Sequence, residues 1–255
     1  MEQIPAEQNA APAIVAADLT KVFGPRRAVD KVSFSLPQGA FLSIFGSNGA
    51  GKTTLLRILS TLMRPSSGSA QILGFDLKED PDAIRSHIGL ISHKSMLYVD
   101  LSAEENLLLA ARLYGVENPE QRVNELLATV ELTARRHDAV RTFSRGMTQR
   151  VSIARALVHD PQIIFLDEPY SGLDPRAVRI FDELLEQIRT GNSDTANSDN
   201  RTFCMISHDR EKGYALASHI LLLERGKVLF FGEKESLSPE EFTALYDKSV
   251  GMGVK

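Results

Sequence analysis

The chain has 255 residues, of which 43% are hydrophobic and 24% are charged, and it carries a formal net charge of -4 at pH 7. A small negative charge gives no basic field for nucleic acid, so no nucleic-acid partner is expected. Every apolar run falls far short of the roughly 18 residues that cross a bilayer, which predicts a chain without a membrane span. The single cysteine, Cys204, excludes an internal disulfide and suits a reducing compartment.

The N-terminal part of the chain predicts a tail followed by antiparallel strands. Residues 1–12 lack the basic start and apolar core of a secretory signal, and we interpret them as a disordered tail. Residues 13–255 are then expected to form a single domain. Alternating apolar residues at 14–19 and 32–36 predict an antiparallel sheet, which residues 68–73 join.

The remainder of the chain alternates short apolar runs with helical patterns, which is typical of a mostly parallel sheet covered by helices. The predicted strands of this sheet are residues 41–45, 88–92, 163–167, 203–207 and 220–224. Between about residues 94 and 159 the pattern is helical, with a capping box from Ser102 to Glu105, and predicts an inserted helical subdomain. Residues 175–189 form a further helical pattern, and the polar string 192–200 after it is interpreted as a surface loop.

A glycine-rich run between a predicted strand and a helical pattern fits G-x-x-x-x-G-K-[ST]. Such glycines let successive backbone N–H groups point at phosphate oxygens, and the helix N-terminus adds its positive dipole. Lys52 can reach the outer phosphates, and the Thr53 hydroxyl is a candidate Mg²⁺ ligand. The fold class is therefore predicted to be α/β with a P-loop NTPase core. The residues expected to contact the nucleotide in this loop are Gly46, Ser47, Asn48, Gly49, Ala50, Gly51, Lys52, Thr53 and Thr54.

Two carboxylates, Asp167 and Glu168, follow the apolar run 163–166. Taken alone, such a run is more often the end of an ordinary strand. In a chain that also has a phosphate loop, two carboxylates at a strand end are expected to act with that loop on the nucleotide. At the carboxyl edge of a parallel sheet, Asp167 can hold Mg²⁺ directly or through water. Glu168 would then face the γ-phosphate and polarise an attacking water as a general base.

The run from Ser144 to Arg150 opens an amphipathic helix, for which Ser144 is locally an N-cap. Lying between the phosphate loop and the Asp167-Glu168 strand, this run resembles the signature motif of the nucleotide-binding subunit of ABC transporters. The resemblance implies that ATP with Mg²⁺ lies in the phosphate loop of one copy. A second copy would cap the γ-phosphate with Ser144, Gly146 and the helix N-terminus, giving a homodimer on ATP binding.

The resemblance extends to three further positions. Phe23 is similar to the aromatic residue that stacks on adenine in this family, although a core phenylalanine would fit the same pattern. Residues 171–174 resemble the dimer-contacting D-loop. His208, at a predicted strand end, resembles the switch histidine that contacts the γ-phosphate and the attacking water, although a lone histidine is more often structural.

The sequence departs from the family pattern at two places. His93 stands where the Q-loop glutamine is expected, and we assign it to the nucleotide site as a hydrogen-bonding substitute. A protonated imidazole there would place positive charge beside the metal, so coupling is expected to be sensitive to acid. In the signature motif, Arg145 replaces a glycine and Met147 a glutamine. Arg145 either adds charge near the nucleotide or lies in solvent.

The function implied by the resemblance is hydrolysis of ATP to ADP and phosphate, coupled to transport through a separate integral membrane permease. Such a subunit would be cytoplasmic and peripheral on the inner face of the cell membrane. The chain ends soon after a last helical pattern at 239–248, without room for an added regulatory domain, which favours an exporter. Residues 88–94 and 144–147 are similar to the haem exporter of cytochrome c maturation, our leading subfamily, and also to multidrug or polysaccharide exporters.

Two other functions stay open on the sequence. A soluble ABC ATPase that acts on a non-membrane assembly is the first, although such relatives usually carry two cassettes or a coiled-coil insertion. A P-loop kinase is the second and ranks last, because it gives no reason for the 144–146 element or for His208.

Overall fold

The computed structural model describes residues 12–92, 95–189 and 201–249. The strands are β1 (Pro12–Phe23), β2 (Arg26–Pro37), β3 (Phe41–Phe45), β4 (Ser67–Ile72), β5 (Phe75–Asp76), β6 (Ile88–Ser92), β7 (Ile163–Asp167), β8 (Thr202–Ile206), β9 (His219–Glu224) and β10 (Lys227–Glu233). The α-helices are α1 (Lys52–Leu59), α2 (Pro81–Arg85), α3 (Ala103–Leu113), α4 (Pro119–Thr129), α5 (Arg145–Leu157), α6 (Pro175–Arg189), α7 (Arg210–Leu216) and α8 (Pro239–Ser249).

A six-stranded sheet in the order β10-β9-β3-β8-β7-β6 forms the centre of the fold. Strands β9, β3, β8, β7 and β6 pair in parallel, and β10 is antiparallel to β9. Every residue of β3, β7 and β8 is buried, as expected for parallel strands covered on both faces. Because β8 lies between β3 and β7, the chain segments that leave these three strands meet at one edge of the sheet.

The second sheet is antiparallel, has the order β2-β1-β4-β5, and shares a hydrophobic core with the first. Ile14 and Val29 from this sheet belong to the same buried cluster as Ile44, Leu55 and Leu221. Burial of these apolar side chains supplies the main driving force that holds the two sheets together. The predicted fold class, an α/β P-loop core with an antiparallel β part and a helical part, is confirmed.

Helices α3, α4 and α5 occupy the stretch for which a helical insertion is predicted. Their buried residues Leu107, Leu127 and Val151 belong to one cluster with Leu166 of β7, so they cover the other face of the central sheet. The capping box at the start of α3 is present: the Glu105 N–H donates to Ser102 Oγ at 3.1 Å, and the Ser102 N–H donates to the Glu105 carboxylate at 2.7 Å. These two bonds satisfy N–H groups that the helix itself leaves unpaired.

Some predicted boundaries differ from the observed ones. β1 already begins at Pro12, the last residue of the predicted tail, and the rest of that tail lies outside the described residues. β8 and β9 each begin one residue earlier than predicted. The predicted loop at 192–200 also lies outside the described residues. Across the described ranges, no helix combines the length and the apolar character that a membrane crossing requires.

Candidate nucleotide-binding site

The phosphate loop leaves β3 at Phe45 and enters α1 at Lys52. The Lys52 side chain folds back under the loop, where its ammonium donates to the carbonyl oxygens of Gly46 at 2.7 Å and Ser47 at 3.0 Å. Burial lowers the pKa of Lys52, while the nearby carboxylates of Glu168 and Asp167 oppose that shift by favouring the cation. The loop is thus wrapped around a positive charge.

Two glycines let the loop approach its neighbours more closely than any other residue could. Gly46 has φ +144°, and a Cβ there would lie 2.3 Å from the carbonyl oxygen of Leu223. Gly51 has φ +105°, and its Cβ would lie 2.2 Å from the carbonyl oxygen of Ala28. Both the positive φ and the missing Cβ are therefore needed at these positions.

The predicted metal ligands, Thr53 and Asp167, lie together at the carboxyl edge of the sheet. The Thr53 hydroxyl donates to Asp167 Oδ1 at 3.5 Å, and Asp167 is 6% exposed. In the described ranges, no group of three or more His, Cys, Asp or Glu side chains could hold a metal ion. One hydroxyl and one carboxylate fit Mg²⁺, which commonly takes one or two protein ligands and completes its shell with phosphate oxygens and water.

The predicted base, Glu168, and the predicted switch histidine, His208, face each other across the ends of β7 and β8. Their side chains approach to 2.7 Å between Glu168 Oε1 and His208 Nε2. Glu168 has a left-handed backbone with φ +54°, and its N–H donates to the carbonyl oxygen of Ile206 at 3.1 Å. For a residue with a Cβ this conformation costs about 1–2 kcal/mol and persists only where surrounding contacts hold it.

These groups line one cleft of about 350 Å³ beside the loop. Phe23 stands in its wall, and because this side chain is 47% exposed it is not a core residue. The residues that line the cleft are Phe23, Arg26, Ala28, Asn48, Gly49, Gly51, Lys52, Thr53, Thr54, Glu168 and His208. Most of the predicted nucleotide contacts are therefore brought together in one place.

Arg26 is a cleft residue that the sequence analysis missed. One of its guanidinium N–H groups donates to the carbonyl oxygen of Gly49 at 2.8 Å, at the tip of the phosphate loop. The neighbouring Arg27 instead pairs with Asp30 at 2.9 Å. The sequence shows two consecutive arginines, and only the strand pairing of β1 with β2 decides which one faces the cleft.

The signature residues Ser144 and Gly146 do not join this cleft. Ser144 caps α5, where its Oγ accepts the N–H of Met147 at 3.3 Å. A second cleft of about 380 Å³ is lined by Glu131, Ser144, Gly146, Met147, Arg150, Asp174, Arg176, Ala177 and Ile180. Within the described residues, the two clefts have no lining residue in common.

Comparison with known proteins places this arrangement in a family. Residues 29–171, more than half of the chain, match the sequence model of the ABC transporter family. The chain belongs to the ABC transporter family. It is an ATP-binding subunit and hydrolyses ATP to ADP and phosphate.

Several curated proteins of this family are similar over most of the chain. The ABC transporter ATP-binding protein NatA of Bacillus subtilis is 37% identical over 218 residues, which cover 84% of this chain and 85% of NatA. The bacitracin transport ATP-binding protein BcrA of Bacillus licheniformis is 35% identical, covering 85% of this chain and 68% of BcrA. The daunorubicin/doxorubicin resistance protein DrrA of Streptomyces peucetius is 33% identical, covering 86% and 65%.

Solved structures agree with the fold. An ATP-binding subunit of an ABC transporter superposes with a TM-score of 0.80 at 27% identity, covering 92% of this chain and 98% of that one. The ATP-binding cassette MJ0796, in a dimeric post-hydrolysis state bound to ADP and Pi, superposes with a TM-score of 0.75 at 28% identity. That comparison covers 87% of this chain and 98% of MJ0796.

The two departures from the ABC pattern have different outcomes. Arg145 lies against the D-loop: a Cβ built on Gly172 would be 2.1 Å from Arg145 Nη1, so the guanidinium rests on the open face of that glycine. The sequence predicts that Arg145 lies either near the nucleotide or in solvent, and the observed contact with the D-loop is a third position. His93, the Q-loop substitute, lies outside the described residues.

Replacing Gly51 by alanine is expected to abolish tight ATP binding, because the added Cβ meets a backbone carbonyl that cannot move aside. Gly24→Ala is the matched control, since Gly24 also has a positive φ, +54°, but has open space around it. The control should lose about 1 kcal/mol of unfolding free energy from backbone strain and keep its ATP affinity. Calorimetric titration with ATP and urea unfolding of both variants measure this. Equal ATP affinity in the two variants would contradict the steric argument.

Proposed function

We propose that two copies of this chain enclose two ATP molecules head to tail and drive export of a drug-like compound through a separate membrane permease. The observation that carries the proposal is the separation of the two clefts. The phosphate loop cleft is lined by Lys52 and by the Glu168 carboxylate, whereas Ser144 and Gly146 line a separate cleft. A second copy, turned head to tail, completes each site.

Binding of the nucleotide is assigned to the phosphate loop. Its backbone N–H groups and the N-terminus of α1 attract the phosphates, and Lys52, already bent under the loop, supplies a fixed positive charge. Thr53 and Asp167 would hold Mg²⁺, which neutralises phosphate charge when bound. Phe23 provides an exposed aromatic face for the adenine ring.

Hydrolysis is assigned to the Glu168 and His208 pair. Glu168 takes a proton from a water whose oxygen forms a bond to the γ-phosphorus, while the bond to the β–γ bridging oxygen breaks and ADP leaves. A general base of this kind contributes about 10²- to 10⁴-fold to the rate. His208, 2.7 Å from the carboxylate, orients Glu168 and can donate to the γ-phosphate as it leaves.

Capping of the γ-phosphate is assigned to the second copy. The N-terminus of α5, a 13-residue helix, presents the Ser144 hydroxyl, and Gly146 lines the same cleft. Because each site then requires both copies, ATP binding closes the dimer and loss of the γ-phosphate releases it. This cycle gives the mechanical step that a permease can use.

The permease is proposed to dock on an apolar groove of about 310 Å³ that ends at the metal ligand Asp167. Its wall includes Leu62, 56% exposed, and Met96, 45% exposed, both large apolar side chains at the surface. The described residues next to His93 form one side of the groove, so a partner seated there would sense the nucleotide site. Docked in this way, the chain is proposed to lie on the inner face of the membrane.

The cargo is proposed from the relatives. Bacitracin and daunorubicin or doxorubicin appear in the names of BcrA and DrrA, which supports a drug or antibiotic as substrate. Haem export, our leading interpretation of the local motifs, receives no support from these relatives. A soluble ABC ATPase that works without a permease receives no support from these names either, since NatA, 85% of which is covered, is named an ABC transporter ATP-binding protein.

Glu168→Gln is expected to trap an ATP-bound dimer, because the amide keeps the nucleotide contacts but cannot accept the proton. Size-exclusion chromatography with ATP should show a species of twice the monomer mass, and ADP should leave a monomer. Adding Ser144→Ala to Glu168→Gln should weaken this dimer, since the capping hydroxyl is lost from both sites. A Glu168→Gln chain that stays monomeric with ATP would overturn the two-copy site.

Arg26→Ala is expected to weaken ATP binding about tenfold, because Arg26 lines the cleft and its bond to Gly49 uses only one of its five N–H donors. Arg27→Ala, which removes the same charge from a side chain paired with Asp30, should leave ATP affinity unchanged. Titrations with ATP and AMP separate a phosphate contact from a contact to the base or ribose. An equal loss of ATP affinity in the two variants would mean that Arg26 acts only through its charge and makes no specific contact with the nucleotide.

Leu62→Glu is expected to abolish co-purification with the membrane permease, since the docked partner would have to remove water from the new carboxylate. ATP hydrolysis by the isolated chain should be unchanged, because Leu62 does not line the nucleotide cleft. Leu62→Met, which keeps the groove apolar, is the control. If Leu62→Glu still co-purifies with membranes at the wild-type level, the groove is not the docking site.

A further inference from the structure

A charged and aromatic cluster that no motif predicts lies behind the Glu168 and His208 pair. It consists of Lys212 on α7, Asp182 on α6 and Tyr170, two residues after Glu168. We propose that Lys212 is a positioning residue for ATP hydrolysis, tying the chain after Glu168 to the helix after His208. The inference rests on the roles proposed above for these two residues.

Lys212 makes two contacts that join three separate segments. Its Nζ donates to Asp182 Oδ2 at 2.7 Å, and the same ammonium lies 4.5 Å from the centroid of the Tyr170 ring. One contact is a hydrogen-bonded ion pair and the other a cation–π contact, and both require the positive charge. Lys212 thus links α7 to α6 and to the segment that leaves β7.

Tyr170 is itself held in place on its other side. Its ring packs edge-on against Phe181 with centroids 5.0 Å apart and an interplanar angle of 90°. Burial, together with the neighbouring Asp182 carboxylate, raises the pKa of Tyr170, so its ring stays neutral. The face of this ring is therefore a fixed surface for the Lys212 ammonium.

The Glu168 and His208 pair needs such an anchor because burial restrains its two side chains only in part. The Glu168 side chain is 32% exposed and that of His208 is 48% exposed, so burial does not fix either one. Glu168 also has the strained left-handed backbone described above. Its geometry therefore depends on the segments that follow both strands.

The helix after His208 is held to the sheet from one side without Lys212. Ser43 Oγ donates to the carbonyl oxygen of Gly213 at 2.7 Å, and Gly213 packs against the ring of Phe45. Nothing in this contact reaches α6. α7 also packs on α8, where the ring centroid of Tyr214 lies 4.7 Å from that of Phe242, and Lys212 adds the attachment to α6.

The pair also has open space to move into. A cavity of about 270 Å³, lined by Glu168, Tyr170, His208 and Lys212 among others, lies next to the nucleotide cleft, and Glu168 and His208 line both. The side chains of Glu168 and His208 thus separate the nucleotide cleft from this cavity. Without the Lys212 contacts, the Glu168 and His208 side chains could shift into this cavity and away from the attacking water.

The test compares Lys212→Met, Lys212→Arg and Lys234→Met in the full chain, with ATPase rates measured up to protein concentrations at which the rate per chain is constant. Lys212→Met should lower kcat about tenfold, since small misplacements of catalytic groups have effects of this size or larger. KM for ATP should change less than about twofold, because the phosphate loop is untouched. Lys212→Arg should retain most of the activity, since it keeps the charge.

Lys234→Met is the matched control, because Lys234 also lies over a tyrosine ring, 5.6 Å from the centroid of Tyr214 on α7, but this contact involves neither α6 nor Tyr170. It should keep wild-type kcat. Urea unfolding establishes that each variant is folded. If Lys212→Met does not fold, Asp182→Asn replaces it, with a smaller loss of kcat expected because the contact with Tyr170 remains.

Three results would overturn the inference: wild-type kcat in a folded Lys212→Met chain, a raised KM without loss of kcat, or equal losses in Lys212→Arg and Lys212→Met. Glu168→Gln is measured in parallel to separate this outcome from failure of the proposed roles. If Glu168→Gln hydrolyses ATP at the wild-type rate, the assignment of the base fails. If Glu168→Gln is inactive while Lys212→Met is normal, only the role of Lys212 fails.

Discussion

The site depends on a cation held inside a loop of backbone. The Lys52 ammonium is bonded to two carbonyl oxygens of the phosphate loop, so the charge is desolvated, hydrogen-bonded and close to where phosphates would bind. Burial of this kind is unfavourable for an isolated cation. The carboxylates of Asp167 and Glu168 compensate, which means that the strand end carrying them and the loop stabilise each other's charges.

This coupling explains why the proposed catalytic groups come from three strands in a fixed order. β8 lies between β3 and β7, so the phosphate loop, the two carboxylates and His208 leave the sheet side by side. The parallel register aligns Phe165 with Cys204 and Cys204 with Leu42, which sets all three strand ends at nearly one level. A one-residue slip would reverse the side chains and bury Glu168 instead of Asp167.

The sequence predicts those strands and helix ends that are determined by residues close to them in the chain. Mostly apolar runs bounded by loops predict β3, β6 and β7 with their observed limits, and the Ser102 capping box predicts the start of α3. It does not predict β10, where residues 227–233 lack a clear alternation and the strand is fixed by pairing with β9. Arg26 and Lys212 were also missed, because their positions depend on neighbouring segments far away in the chain.

Arg145 departs from the signature motif, yet its side chain joins the start of α5 to the D-loop. A glycine at position 145 would leave the start of α5 and the D-loop as two independent segments. Here the guanidinium covers Gly172, and Gly146 packs near Ala177 of α6, where its Cβ would lie 3.0 Å from that methyl group. The signature end of α5 and the D-loop therefore form one contiguous surface. In the proposed head-to-tail dimer this surface faces the partner, so one rigid face meets the nucleotide instead of two mobile loops.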